Sequence, residues 1–316
     1  MTRTVRLKAF AKLNLGLRVL LRRSDGYHEL RTVFQTIALA DGLDVNFTKN
    51  QTQTRIRIDG APHIPDNLVE KAARLVLGEM GIFADVHFHL KKRIPAGAGL
   101  GGGSTDAAAV LLALPVLAGK RVPQHRLFEL AAQLGSDVPF FLHGGTALGM
   151  GRGEELYPLA DQPARKVLLV APAVHSSTAE AYTDLSQKLT SIALQNKLFS
   201  FQQQVWGTAT VQMANDFEEV VFARHPALQQ IKDRLEQAGA AAAAMTGSGS
   251  ALFGIFQDST ALRRARESFT GESTVATSFL SRAQYRSAWR RALAPHTPQK
   301  SNPKEDLWPP QSLYAR

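Results

Sequence analysis

Ile94-Pro-Ala-Gly-Ala-Gly-Leu-Gly-Gly-Gly-Ser-Thr-Asp-Ala-Ala-Ala109 places five glycines and a Ser-Thr pair directly ahead of an alanine-rich run. Glycines at 97, 99, 101, 102 and 103 allow positive φ and a close approach of the backbone to an anion. The helix expected next would add free N–H groups and the positive end of its dipole. Ser104, Thr105 and Asp106 read as its capping side chains, with Ser104 the hydroxyl best placed for a phosphate or Mg²⁺. The alternative is a purely structural turn, which rarely needs so many glycines.

Gly97 to Gly102 also satisfies G-x-G-x-x-G, the dinucleotide fingerprint, which expects an acidic residue about 20 positions on. No Asp or Glu occurs between Asp106 and Glu129. A Walker A loop fails because Gly103 is followed by Ser104 rather than by Lys and a hydroxyl residue. A protein-kinase loop would need a downstream H-R-D segment, and the chain has none. What remains is Pro-x-Gly-x-Gly-Leu-Gly-Gly-Gly-Ser entered from Val86, Phe88 and Leu90, whose alternation predicts a strand.

This loop resembles the ATP-binding loop of the GHMP kinases, the superfamily of galactokinase, homoserine kinase and mevalonate kinase. Three further stretches extend the resemblance toward the branch that phosphorylates 4-diphosphocytidyl-2-C-methyl-D-erythritol. They are Ala9-Phe-Ala-Lys-Leu-Asn-Leu-Gly-Leu17, Arg23-Ser-Asp-Gly-Tyr-His-Glu-Leu30 and Gly135-Ser-Asp-Val-Pro-Phe140. Met245-Thr-Gly-Ser-Gly-Ser-Ala251 is similar to the third superfamily motif, a second glycine turn (Gly247, Ser248, Gly249) beside the phosphates.

The resemblance implies an α/β (α+β) enzyme of two domains. A ribosomal-protein-S5-like ATP-binding domain would span 1–162 and an antiparallel sheet with helices 163–289; the proline-rich stretch 290–316, outside the resemblance, is expected to be a disordered tail. ATP would be held by Pro95, Ala96, Gly97, Ala98, Gly99, Leu100, Gly101, Gly102, Gly103, Ser104 and Thr105, with Mg²⁺ as cofactor. Asp137 would accept the substrate hydroxyl proton beside Lys12. Tyr27 and Tyr182 would stack on cytosine, His28 would bond its edge, and Asn14 would bond the methylerythritol or diphosphate portion. Read alone, Asp137 could equally be a turn or helix-start residue, and a lone lysine such as Lys12 usually faces solvent. A homoserine-type kinase needs no cytosine pocket, so Gly26-Tyr-His decides between this branch and a kinase for another small alcohol.

Composition sets outer limits. The 316 residues, 44% of them hydrophobic, can bury a sizeable core. No apolar run of about 18 residues suggests a membrane span. With no cysteine, disulfides and thiolate catalysis are excluded. The N-terminus lacks a secretory apolar region, and the first motif begins near Ala9, so a cytoplasmic monomer or homodimer is expected. The net charge of +10 raises nucleic-acid binding as a non-enzymatic alternative. From Arg286 to Arg316, however, six Lys or Arg stand against Glu305 and Asp306, leaving four of the ten excess charges in a proline-rich end. The remainder suits phosphorylated substrates, and no nucleic-acid partner is expected.

Strands are predicted over 5–21, 32–46, 54–59, 166–170 and 251–256, and helices over 66–77, 104–114, 124–134 and 225–238. Pro115 should end or kink the second helix. Irregular helices are expected over 187–213, and no regular structure beyond Trp289.

Overall fold

The structure, a computed structural model, describes residues 1–60, 65–174, 176–188, 195, 197–198, 200–202, 213–297, 308–310 and 312. Most of the 187–213 stretch expected to be helical lies outside them.

Two long strands, β1 (Thr2–Arg22) and β2 (His28–Asn50), form a hairpin that spans the first sheet, with Arg22 opposite His28 and Thr2 opposite Thr48. Register shifts at Phe10/Lys12, Asn14/Gly16 and Val19/Leu21 bend it. The other edge of β2 is shared by β4 (Phe83–Lys91) and β5 (Thr146–Met150). Outside these lie β3 (Arg55–Asp59) and β6 (Glu155–Pro158). β3 runs parallel to β4, so the sheet is mixed.

One face of this sheet is covered by α1 (Leu68–Glu79), α2 (Gly102–Ala118), α3 (Gln124–Leu134) and α4 (Val138–His143). Every α2 side chain from Thr105 to Leu117 is buried, which explains its apolar, nearly moment-free sequence. The helix does not stop at Pro115. It continues to Ala118, where Gly119 at φ 73° donates to the Pro115 and Val116 carbonyls and ends it. Proline lacks the N–H that would bond the Leu111 carbonyl and crowds that oxygen, a cost that the complete burial of the helix outweighs.

The second sheet has the order β10-β7-β9-β8, all antiparallel: β7 (Lys166–Ala171), β8 (Ala242–Met245), β9 (Leu252–Phe256) and β10 (Ser273–Ser278). Helices α5 (Thr178–Ser186), α6 (Phe217–Arg224), α7 (Pro226–Gln237) and α8 (Ser259–Glu267) accompany it. Between the sheets lies a third apolar cluster in which Ala11, Leu13 and Leu15 of β1 meet Leu169 and Phe253.

The C-terminal end departs from expectation. Helix α9 (Arg282–Leu293), opened by a Ser281 and Gln284 capping box, inserts Tyr285, Trp289 and Leu293 into the core of the first sheet rather than the second. A 3₁₀ turn continues it over Ala294–His296. Trp308 and Ser312 also return to this side, donating to the carbonyls of Leu142 and Val116. Within the 290–316 stretch expected to be disordered, these described residues are therefore packed. Proline content argued against regular structure, but Leu293, His296 and Ser312 find buried places on a neighbouring core.

Candidate active site

A cleft of about 1160 Å³ runs between the two halves, and Lys12, Asn14, Tyr27, His28, Ser104, Asp137 and Tyr182 all line it. Gly97, Gly99, Gly101, Gly247, Ser248 and Gly249 form its glycine wall.

In the first glycine turn, Gly97, Gly99 and Gly101 adopt φ of 66°, 75° and 72°. Gly102 and Gly103 do not; they are the first residues of α2. The helix thus begins two residues earlier than expected, with left-handed Gly101 as its N-cap and no side-chain capping bond. Ser104, Thr105 and Asp106 lie inside it. Ser104 is left to face the cleft, whereas Thr105 and Asp106 are buried. Pro95 and Ala96 lead into the turn. Ala98 and Leu100 point into the apolar cluster between the sheets, while their carbonyls accept from Ala251 N and Lys12 N.

The two glycine turns touch backbone to backbone. A Cβ on Gly99 would stand 2.1 Å from the Thr246 carbonyl oxygen, and one on Gly247 would stand 3.0 Å from Gly99 Cα. Asn14 ties this junction to β1: its Oδ1 accepts from Gly247 N at 2.9 Å and from Lys12 Nζ at 2.7 Å, and its Nδ2 donates to Thr32 Oγ1. Asn215, which no sequence signal singled out, holds the second turn from the other side by donating to the Met245 and Gly247 carbonyls.

Lys12 is 3% exposed, and its Nζ lies 3.3 Å from an Asp137 carboxylate oxygen. Odd positions 11, 13 and 15 go to the apolar cluster, so the even positions 12 and 14 reach the cleft. Asp137 occupies the N-cap of α4, yet its side chain makes no capping bond. Its carboxylate is therefore available to Lys12 and to the cleft. At ~4 Å such a pair attracts by ~1 kcal/mol in water and ~4 kcal/mol at an effective dielectric of 20, so the burial of Lys12 sets its worth.

At the far end, His28 stacks on Tyr182 with ring centroids 4.8 Å apart, and Tyr182 meets Phe217 edge-on at 4.8 Å. Tyr27 is 54% exposed, with the Arg152 guanidinium 4.6 Å from its ring centroid. The two tyrosines do not face one another here, because the His28 ring lies against Tyr182. Burial, and secondarily Arg22, lowers the pKa of His28 and favours neutral imidazole. Ser186 Oγ donates its single proton to the Tyr182 carbonyl and so must accept from His28 Nε2 at 2.6 Å. That fixes the proton on Nε2 and leaves Nδ1 an acceptor.

Behind the first glycine turn, Lys92 is shared by two buried carboxylates, bonding Asp41 and, at 2.8 Å, Asp106. Asp41 also accepts from Arg93 N and Ile94 N at the entrance of the turn. Burial pushes the Asp106 carboxyl up to about 7, Lys92 opposes this, and the Asp41 charge adds to it. With a folded pKa above the unfolded value, the folded state holds the extra proton between pH ~4 and ~7, and stability contributed by this group is lost as pH rises through that window. Asp106→Asn should accordingly gain stability relative to the parent chain between pH 5 and 8, by up to a few kcal/mol. Denaturant melts at each pH test this; a variant that loses ground as pH rises would mean that Lys92 stabilises the ionised carboxylate.

Comparison with known proteins identifies the family. Residues 67–145 match the GHMP kinases N-terminal domain and residues 200–273 the GHMP kinases C-terminal domain. A 4-diphosphocytidyl-2-C-methyl-D-erythritol kinase of Solibacter usitatus is 53% identical over 318 residues, covering 99% of this chain and 98% of its own length. Another so named, from Geobacter sulfurreducens, is 40% identical over 84% of this chain and 95% of its own. A crystal structure of 4-(cytidine 5'-diphospho)-2C-methyl-D-erythritol kinase superimposes with a TM-score of 0.72 at 36% identity, covering 88% of this chain and 99% of that one. With a full-length relative at this identity and both halves of the fold matched, the chain belongs to the GHMP kinase family.

Proposed function

We propose that the protein transfers the γ-phosphoryl group of ATP to the 2-hydroxyl of 4-diphosphocytidyl-2-C-methyl-D-erythritol, a step of non-mevalonate isoprenoid precursor synthesis. One observation carries this reading: the Lys12 and Asp137 pair lies in a single cleft with the glycine turns and with the Tyr27, His28 and Tyr182 aromatic group. The first end suits a triphosphate, the second a nucleobase, and the pair between them suits a hydroxyl that must lose its proton.

In this reading the backbone amides of the first glycine turn and the α2 N-terminus cradle the ATP phosphates. Asn14 holds Lys12 and the second turn in register. Asp137 accepts the hydroxyl proton as the bond to phosphorus forms, and Lys12 stabilises the carboxylate and the oxygens of the transferring group. Tyr27 and Tyr182 flank the base after His28 swings from Tyr182. His28, released from Ser186 by that swing, would bond the base edge, where cytosine presents an exocyclic amine and uracil a carbonyl. Mg²⁺ fits the donors present, since Ser104 and Asp137 offer hard oxygens to the cleft. No group of three or more His, Asp or Glu among the described residues could hold an ion alone, so Ser104 would share it with the triphosphate. Bound there, the ion would neutralise phosphate charge. No helix of the described residues is long and apolar enough to cross a membrane, and the charged, diffusible substrates support a cytoplasmic site of action. Nothing in the cleft favours the homoserine-type alternative, which has no use for a base pocket.

The test is ADP release with the cytidyl alcohol, its uridine analogue, homoserine, mevalonate and galactose. Rapid turnover is expected with the first alone. Tyr27→Ala should then weaken the cytidyl substrate by roughly 1 to 3 kcal/mol while sparing ATP. Turnover with homoserine instead, or equal weakening of ATP, would overturn the assignment.

A further inference from the structure

We propose that α9 and the C-terminal Trp308 form a clamp on the C-terminal end of α4 and thereby position Asp137 against Lys12. The inference rests on the reading of Asp137 as the proton acceptor. It concerns what holds that carboxylate in place.

A helix of six residues holds itself weakly. The last four carbonyls of any helix lack intrahelical partners, and in α4 they are most of the helix. The carbonyl of Phe140 is satisfied locally by Gly144 N at 3.0 Å. The next two are satisfied from the distant end of the chain: Phe141 O accepts from Tyr285 Oη, and Leu142 O accepts from Trp308 Nε1 at 2.6 Å. The following side chain joins them, for His143 Nδ1 lies 3.0 Å from Arg286 Nη2. Burial, then the charges of Arg286 and Arg282, lower His143 to about 4, so at neutral pH the imidazole is uncharged and accepts from the guanidinium.

The clamp is packed as well as bonded. Tyr285 is 1% exposed, and its ring so fills the space beside Gly144 that a Cβ there would fall 2.4 Å from it. Arg286 lies over the Trp308 ring at 5.1 Å, and the Tyr285 and Trp308 rings are 6.4 Å apart. At the opposite end of α4 stands Asp137. Along its length Phe140 stacks on Phe34 at 4.9 Å, and Phe34 carries the Lys12 ammonium 5.5 Å from its ring centre. Because α4 is so short and is held from outside, a shift at its Leu142 end is carried through the packed Phe140 ring toward Asp137. Misplacement of a reacting group by ~1 Å can cost a hundredfold in rate.

Trp308 and Tyr285 are thus positioning residues, acting through α4 without touching substrate. Trp308→Phe keeps an aromatic ring and removes the N–H, and Tyr285→Phe does the same for its hydroxyl. Each is expected to lower kcat about three- to tenfold, with KM for ATP and for the cytidyl alcohol changed less than twofold. A chain ending at Thr297 should show the same kcat loss together with a lower melting temperature. In an Asp137→Asn background, Trp308→Phe should cost nothing further, because there is no carboxylate left to place. Wild-type kcat in Trp308→Phe, beside an impaired Asp137→Asn, overturns the clamp and leaves the catalytic reading intact. An undiminished further loss in the double variant also overturns it, by making the contact one of stability alone. Full turnover in Asp137→Asn overturns the catalytic reading and the clamp with it.

Discussion

Asp137→Asn is expected to retain both substrates and lose most turnover, by at least ten- to a hundredfold. The change keeps the shape of the side chain but removes the proposed proton acceptor and the negative partner of Lys12 Nζ, 3.3 Å away. The loss need not be greater, because a dissociative phosphoryl transfer leaves little proton transfer for a base to assist. Lys12→Ala should be as severe or worse. It removes the charge proposed to face the transferring oxygens and leaves Asn14 Oδ1 without its 2.7 Å donor. If the pair works as a unit, the double variant will be scarcely slower than the worse single one, since coupled catalytic groups are strongly non-additive. Single-turnover rates under saturating ATP and Mg²⁺ measure this directly. An unaltered rate in Asp137→Asn would leave Asp137 as a helix-start residue and the base unidentified.

Gly99→Ala should be among the most damaging single-methyl changes at the described glycines. The backbone there is left-handed, which costs a non-glycine residue roughly 1 to 2 kcal/mol. The new methyl would stand 2.1 Å from Thr246 O, a backbone atom that cannot swing aside, and overpacking of this kind adds about 1 to 3 kcal/mol. Part of that strain can be relieved only by parting the two glycine turns, so ATP binding should weaken along with the melting temperature. Gly78→Ala makes the internal comparison: Gly78 is helical, within α1 and away from the cleft, and its added methyl meets nothing within 4 Å. It should be nearly silent, and equal damage at both positions would contradict the backbone-contact account.

The parts of the molecule legible in the sequence are those fixed by local geometry. The glycine turn, the helix over Gln124–Leu134 with its end at Gly135, and the alternation that sends Lys12 and Asn14 to one side follow from short-range constraints on the chain. What escaped was decided at a distance. Ser104 looked like a cap because hydroxyl residues usually are. Left-handed Gly101 let α2 start sooner, so that Asp106 was carried into the interior to meet Lys92 and, through it, Asp41. No pattern links residue 41 to residue 106. Asn215 reads as an ordinary polar residue before α6 until the second glycine turn is folded against it. Proline content after Trp289 argued for an unstructured end, yet composition cannot register the places on a distant core that receive Leu293, Trp308 and Ser312. The stacking of His28 on Tyr182 was equally invisible, since it depends on β2 and α5 meeting across 154 residues of chain.

From Ala9 to Leu17, β1 is buried without a break, because its two sides serve different masters: one faces the first sheet's helices and the cleft, the other the second sheet. The wall of the cleft that carries Lys12 and Asn14 is thus the seam of the molecule. A hinged enzyme can swing its lobes apart about a linker; here such a swing would peel Leu13 and Leu15 from Phe253 and pull Asn14 from Gly247. Substrate entry is therefore expected to involve side chains and turns at the rim, such as His28 and Tyr27, and not a swing of the two halves. The two halves should also fail as separately expressed fragments: the first would carry a naked apolar stripe along β1 and lack α9, and the second would lose the strand on which its glycine turn is anchored.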